Sequence, residues 1–176
     1  MPPVLVARLW RRSASAAGLA TRLMAPICFA AALWSNASLG PWLAIGFAIA
    51  VLVVLSGLSS LLPPARRSES WAARATYGER IWMNRLAVPV CQADARPVSM
   101  LSLAGITGMA VMAGGAWLND PVILGGGLAV YLAARFVFFD RLGALYVKMK
   151  GAHPLYRFWA MRPDNDNSVR RRAASH

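Results

Sequence analysis

The sequence is poor in the residues that carry most enzyme and metal chemistry. It has two cysteines, two histidines and seven acidic residues in 176 positions. Cys28 lies in an apolar stretch and Cys91 in a hydrophilic one, with no Cys-x-x-Cys pattern, so we predict two reduced thiols and no disulfide. His153 and His176 both follow the last apolar segment, which excludes a bis-histidine haem site inside a membrane. The sequence therefore predicts no catalytic residues, no metal site and no cofactor.

Charge is almost absent from four long apolar segments, although the chain as a whole is strongly basic. Hydrophobic residues make up 57% of the chain, and the mean hydropathy is +0.46. This separation of apolar blocks from polar connections is typical of integral membrane proteins. The sequence thus predicts an all-α, polytopic membrane protein: a four-helix transmembrane bundle. The predicted spans cover about residues 19–36, 42–62, 100–118 and 122–139.

These spans divide the chain into a basic leader (residues 1–22), a four-span membrane domain (23–150) with a hydrophilic loop (63–99), and a basic, partly disordered tail (151–176). The first apolar run is short for a span, since about 20 residues are needed to cross the hydrocarbon. It reaches that length only by including the alanines that precede Arg22, or by running on to Leu39. A cleavable signal peptide is the alternative interpretation of this region.

The distribution of basic residues predicts the orientation. The leader holds four, the loop six and the region from Arg141 onward eight, whereas the two short turns hold none. Under the positive-inside rule, both termini and the loop are cytoplasmic. Because the basic residues flank apolar blocks, we expect them to contact anionic headgroups of a bacterial inner membrane, and we expect no nucleic-acid partner.

The hydrophilic loop contains a predicted helix. Ser70 is suited to cap its N-terminus. Trp71, Ala75, Gly78 and Trp82 recur at helical spacing on one face, which is typical of an amphipathic helix at a membrane interface. Such a helix either rests on the headgroups or docks onto the cytoplasmic ends of the spans.

This segment also carries a resemblance. Its residues are Trp71 with the string Gly-Glu-Arg-Ile-Trp-Met-Asn-Arg at 78–85, followed later by Phe-Asp-Arg at 139–141 and by Leu-Tyr at 145–146. Over about residues 23–149 the chain resembles an uncharacterised family of small bacterial multi-helix membrane proteins with a domain of unknown function. The resemblance implies an architecture and no mechanism. The candidate structural or partner-contact residues are Trp71, Glu79, Arg80, Trp82, Asn84, Arg85, Arg135, Asp140 and Arg141.

Arg135 is the only charged residue well inside a predicted span, about five residues from its cytoplasmic edge. Such a residue is a functional candidate by default. Asp140 is a poor partner, because five residues correspond to roughly 140° around a helix. Two hypotheses stay open: Glu79 of the docked loop helix neutralises Arg135, or the arginine snorkels to the headgroups.

Small residues repeat every four positions in the last two spans. Gly125, Ala129 and Ala133 form one such stripe, and Ala104 and Gly108 form another. Stripes of this kind let helix backbones approach closely. Internal packing of the third and fourth spans is the favoured interpretation, and a dimer interface is the alternative.

Three classes of function remain. The first is a non-enzymatic scaffold, assembly factor or accessory subunit of a membrane complex, which the small size and the absence of nucleophile–base pairs favour. The second is a small oligomeric transporter or channel, against which no acid or histidine lies inside a predicted span. The third is a lipid-acting enzyme, which would need Glu79, Asp140 or His153 to converge in a cleft.

We predict that reporter fusions at Gly40 and Asn119 face the outside of the cell, and that fusions at Gln92 and Ser168 face the cytoplasm. The physical reason is the one-sided distribution of basic residues. Alkaline phosphatase and fluorescent-protein fusions would measure both sets. An external reading at Gln92 would contradict the entire topology.

Overall fold

The computed structural model describes residues 14–61, 70–85 and 89–151, apart from the side chains of residues 59 and 60. Within these ranges all regular secondary structure is α-helical. The leader before residue 14 and the tail after residue 151 lie outside the described residues. The helices are α1 (Ala16–Trp34), a short α2 (Asn36–Leu39), α3 (Pro41–Leu61), α4 (Trp71–Met83), α5 (Gln92–Leu118) and α6 (Pro121–Met149).

The helix starts follow local capping chemistry. The Ser15 hydroxyl accepts a hydrogen bond from the Gly18 amide at 3.0 Å. The Ser70 hydroxyl accepts one from the Ala73 amide at 3.3 Å, which confirms the predicted N-cap of α4. Such side-chain acceptors satisfy amides that have no partner within the first helical turn.

Four helical segments are long and apolar enough to cross a membrane, as the sequence predicted. They are Ala16–Leu39, Pro41–Leu58, Gln92–Leu118 and Pro121–Met149. The first begins with the alanines that precede Arg22. The last two are longer than the predicted apolar spans, since α5 starts eight residues before Met100 and α6 continues ten residues past Phe139. These extensions carry polar residues and build the end of the bundle where α4 lies.

The helices run up and down, so the bundle has two distinct ends. We call the end that holds α4, the start of α5 and the close of α6 the docked end, and the end that holds the short connections the turn end. One buried cluster centred on Ile81 and Leu142 fills the docked end, and another centred on Met112 and Ala116 fills the turn end. By contrast α3 packs mainly against α1, and most of its apolar side chains face outward.

Two asparagines join the short connections at the turn end. The Asn119 side-chain amide donates to Asn36 Oδ1 at 2.8 Å, and the Asn36 amide donates to the Trp117 carbonyl at 2.7 Å. Asn119 itself has a left-handed backbone with φ of 54°, a conformation that asparagine tolerates better than most residues. These bonds tie the start of α2, directly after α1, to the end of α5.

Glycines bring the main chains of α5 and α6 into direct contact. A Cβ atom on Gly108 would lie 2.5 Å from the Tyr131 amide nitrogen, and one on Gly127 would lie 2.6 Å from the Met112 Cα. Gly115 is enclosed in the same way by Leu124. Real Cβ atoms do not approach so closely, so each of these positions requires glycine.

The predicted stripe on α6 has a different place. Gly125, Ala129 and Ala133 are exposed, and a Cβ added to Gly125 would meet nothing within 4 Å. The internal-packing interpretation of this stripe is therefore wrong. The buried face of α6 instead contains Gly127, which is two positions from Gly125 and thus about 200° around the helix.

We predict that Gly127→Ala destabilises the bundle by about 1–3 kcal/mol, the usual effect of forcing an extra group into a well-packed interior. The neighbouring Gly126→Ala is the matched control, because a Cβ there meets nothing within 4 Å. That control should be neutral or stabilising by up to about 1 kcal/mol through helix propensity. Thermal unfolding in mild detergent measures both. Equal effects of the two variants would show that α5 and α6 do not approach through Gly127.

Candidate functional site

The loop helix α4 docks against the end of α6 at main-chain distance. A Cβ on Gly78 would overlap the Leu142 carbonyl group, so only glycine fits there. Two aromatic contacts flank this point: Trp71 meets Phe139 edge to face with ring centroids 6.3 Å apart, and Tyr77 lies 5.6 Å from Tyr146. Aromatic pairs in such geometry add stability beyond the area they bury.

Docking buries most of α4, and the prediction that this helix docks onto the ends of the spans is confirmed. Eight of its thirteen residues are buried. The predicted face is only partly correct, because Ala75 and Gly78 are buried, whereas Trp71 is 40% exposed and Trp82 is half-buried. The buried side is broader than a single amphipathic stripe, since α4 contacts both α1 and α6. A helix held on two sides has little freedom to rest on headgroups as an independent element.

Glu79 pairs with Arg22, and the predicted Glu79–Arg135 pair is wrong. Both carboxylate oxygens of Glu79 accept from Arg22 Nη2, at 2.6 and 2.5 Å. The Glu79 residue is 8% exposed, and the side chain of Arg22 is 33% exposed. The physical reason for the correction is proximity. Because α1 starts at the docked end, its only arginine, Arg22, lies within ion-pair distance of Glu79 on α4. This pair links α1 to α4.

Arg135 is instead surrounded by aromatic rings. Its guanidinium carbon lies 5.6 Å from the centroid of Phe138, 5.8 Å from that of Tyr131 and 6.0 Å from that of Phe139. The hydroxyl of Tyr131 itself donates to the Leu23 carbonyl at 3.1 Å. Ring faces attract cations, so these contacts lower the cost of the charge, and none of the described carboxylates forms an ion pair with Arg135.

The remaining candidate residues of α4 lie at its C-terminal end. The Asn84 amide donates to the Arg80 carbonyl at 2.9 Å and closes the helix. The Arg85 guanidinium stacks over the Trp82 ring at 4.4 Å and donates to the Trp82 carbonyl. Arg80 is half-buried; desolvation lowers its pKa, while the Tyr77 phenol acts in the opposite direction. Arginine nevertheless stays protonated at neutral pH.

Two candidate residues of α6 face outward. Asp140 and Arg141 are exposed, whereas the next two residues of α6, Leu142 and Gly143, are buried. Glu79 is buried and paired while Asp140 is exposed, so the structure does not bring these two carboxylates into one cleft. His153 lies outside the described residues. Among the residues that are described, no three His, Cys, Asp or Glu side chains group as metal ligands.

The two cysteines agree with the predicted free thiols. Cys28 is half-buried in α1, and Cys91 is exposed just before α5. A second ion pair, between Lys148 Nζ and Asp94 Oδ1 at 2.7 Å, joins the extensions of α6 and α5.

Arg22 is the important residue that the sequence analysis did not include among its candidates. It was assigned to the basic leader, where an arginine has no specific partner. A signal was nevertheless present, because Arg22 is the only charge within α1 and Glu79 is the only acid within α4. Gly143 was likewise not recognised as a contact position, since sequence alone does not say which helix a glycine faces.

We predict that Glu79→Gln and Arg22→Gln each destabilise the protein and that their effects are not additive. The lone charge left by either change remains partly desolvated. The coupling energy should fall in the lower half of about 0.5–3 kcal/mol, because Arg22 is one-third exposed to screening. The control cycle combines Glu79→Gln with Arg135→Leu and should be additive. Unfolding in detergent measures both cycles, and coupling in the control cycle alone would contradict the assignment.

Comparison with known proteins identifies the family of this chain. A family model described as a family of unknown function (DUF6653) matches residues 4–163. No curated protein and no solved structure matches the chain. The match includes all six described helices, and it confirms the resemblance to a family without an assigned activity. The chain therefore belongs to the DUF6653 family, a family of unknown function, with four helices long and apolar enough to span a membrane.

Proposed function

We propose that this protein is a non-enzymatic scaffold, assembly factor or accessory subunit of a bacterial inner-membrane complex. In this proposal both termini are cytoplasmic, and a partner protein binds at the docked end. The observation that carries the proposal is the docking of α4: a connection between two spans is held rigidly against α6 by a glycine contact, aromatic pairs and an ion pair. A loop that only joined two spans would need none of these.

Rigidity favours binding because less conformational freedom is lost when the partner arrives. The Arg22–Glu79 pair fixes α4 to α1, and Gly78 fixes it to Leu142. The C-terminal end of α4 is thereby presented in one conformation.

The exposed residues at this end have the chemistry of a protein contact. Met83 is 57% exposed, and Asn84 and Arg85 beside it are also exposed. Arginine, methionine and tryptophan are enriched in protein interfaces, and an arginine stacked on a tryptophan is already ordered before it binds. On α6, Asp140 and Arg141 add charges of both signs, which suits a protein partner better than a purely anionic surface.

We predict that a photo-crosslinking amino acid at Met83 captures a discrete protein in intact membranes, whereas one at Phe47 captures lipid. Phe47 is the matched control, because it is a similarly exposed apolar residue, at 51%, on the outward face of α3. Arg85→Ala combined with Arg141→Ala should weaken the Met83 adduct by about tenfold or more, as expected for the loss of two interface arginines. Mass spectrometry of the adduct identifies the partner.

The outcome distinguishes the proposal from its alternatives. Crosslinks only between copies of this chain would favour the small oligomeric transporter or channel. Lipid adducts alone at both Met83 and Phe47 would contradict the scaffold proposal.

A further inference from the structure

A second feature of the docked end is an apolar groove between α1, α4 and α6. Its volume is about 200 Å³. Leu19 and Leu23 form one wall, Phe136 and Phe139 form the other, and Trp71 lies at the α4 end. Ala16 and Ala20 also line the groove on the α1 side, where their small side chains leave space. The volume is below the 300–1,000 Å³ that is usual for small-molecule sites, which suits part of a chain better than a whole compact ligand.

The position of the groove indicates which molecules can contact its open side. Two of its three sides belong to α1 and α6, which are both candidate membrane spans. Phe136 is 51% exposed at the groove and Trp71 is 40% exposed. Tryptophan is enriched at the boundary between hydrocarbon and headgroups, so the α4 end of the groove lies at headgroup level in a membrane. Acyl chains are thus the molecules that meet its open side.

An arginine lies one helical turn beyond the groove. Arg74 follows Trp71 by three residues on α4, and its Cβ lies 3.8 Å from where a Cβ on Gly143 would be. Gly143 follows the groove residue Phe139 by four residues on α6. Arg74 is exposed, and it forms no ion pair with the described residues. A guanidinium that has no ion-pair partner among the described residues can bind a phosphate through its charge and its fork of N–H donors.

We propose that this groove is a phospholipid site: an acyl chain lies between Leu23 and Phe139, and Arg74 binds the phosphate of an anionic headgroup. The carrying observation is the juxtaposition of a lipid-facing apolar groove with an exposed arginine one turn above it. The net charge of +12 adds a general attraction for anionic lipid. This inference does not depend on the proposed scaffold function.

The test is native mass spectrometry of the full chain from nanodiscs that contain equal amounts of phosphatidylglycerol and phosphatidylcholine. We expect one phospholipid to remain bound after detergent exchange, with phosphatidylglycerol preferred. Arg74→Gln should reduce that preference by about fivefold, which corresponds to about 1 kcal/mol for one basic residue near an anionic surface. Arg96→Gln, an exposed arginine on α5, is the matched control and should leave the preference unchanged.

Two groove-filling variants test the acyl chain independently. Ala16→Phe and Ala20→Phe should each abolish lipid retention, while Ala129→Phe on the outer side of α6 should not. Thermal unfolding of each variant shows that it is folded.

Unchanged retention in folded Ala16→Phe and Ala20→Phe would overturn the groove assignment. An equal loss of preference in Arg74→Gln and Arg96→Gln would overturn the headgroup assignment. Displacement of the lipid by excess glycerol phosphate would also overturn the proposal, since the site would then bind a free phosphate.

Discussion

The close approach of α5 and α6 is the interaction on which the rest of the structure depends. Apolar side chains gain little by leaving lipid, so helices in a membrane associate through packing and polar contacts. Gly108, Gly115 and Gly127 let the two main chains touch along most of their shared length. The pair then acts as a rigid column, and α6 extends beyond it to the docked end. At that end Gly78 allows the same close main-chain contact, between α4 and Leu142 of α6.

The electrostatics of the docked end follow from an excess of arginines over carboxylates. Among the described residues, two arginines, Arg22 and Arg135, lie toward this end, whereas Glu79 is the one carboxylate that pairs with either of them. The carboxylate of Glu79 pairs with Arg22, which joins two helices that have few other contacts. Arg135 is stabilised by aromatic faces instead. An arginine at the centre of a span costs about 2.5–3.5 kcal/mol, and the cost is lower nearer the edge of the apolar segment. Arg135 lies in the middle of α6 but only four residues before Phe139, where the predicted apolar span ends. The imbalance leaves the docked end positive.

The two proposals use different parts of this end. The partner surface is built from the C-terminal residues of α4 and from the outward side of α6, which carry charges of both signs. The lipid groove lies at the N-terminal end of α4, where tryptophan and phenylalanine meet the alanines of α1. Both parts depend on α4 being held in place, so loss of the Arg22–Glu79 pair should affect both. Each part also has residues of its own, so mutation can test the two proposals separately.

The sequence by itself determined the all-helical architecture, the number of apolar segments and the cap of α4. Hydropathy and capping are local properties, and they need no knowledge of neighbouring helices. The tertiary structure decided which glycines are buried, that Gly125 faces outward while Gly127 contacts Met112, and that Glu79 pairs with Arg22 in place of Arg135. These outcomes depend on the rotation of each helix about its axis and on which helix end lies nearest. Adjacent apolar positions look alike in a sequence that is hydrophobic around the whole helix, so only packing distinguishes them.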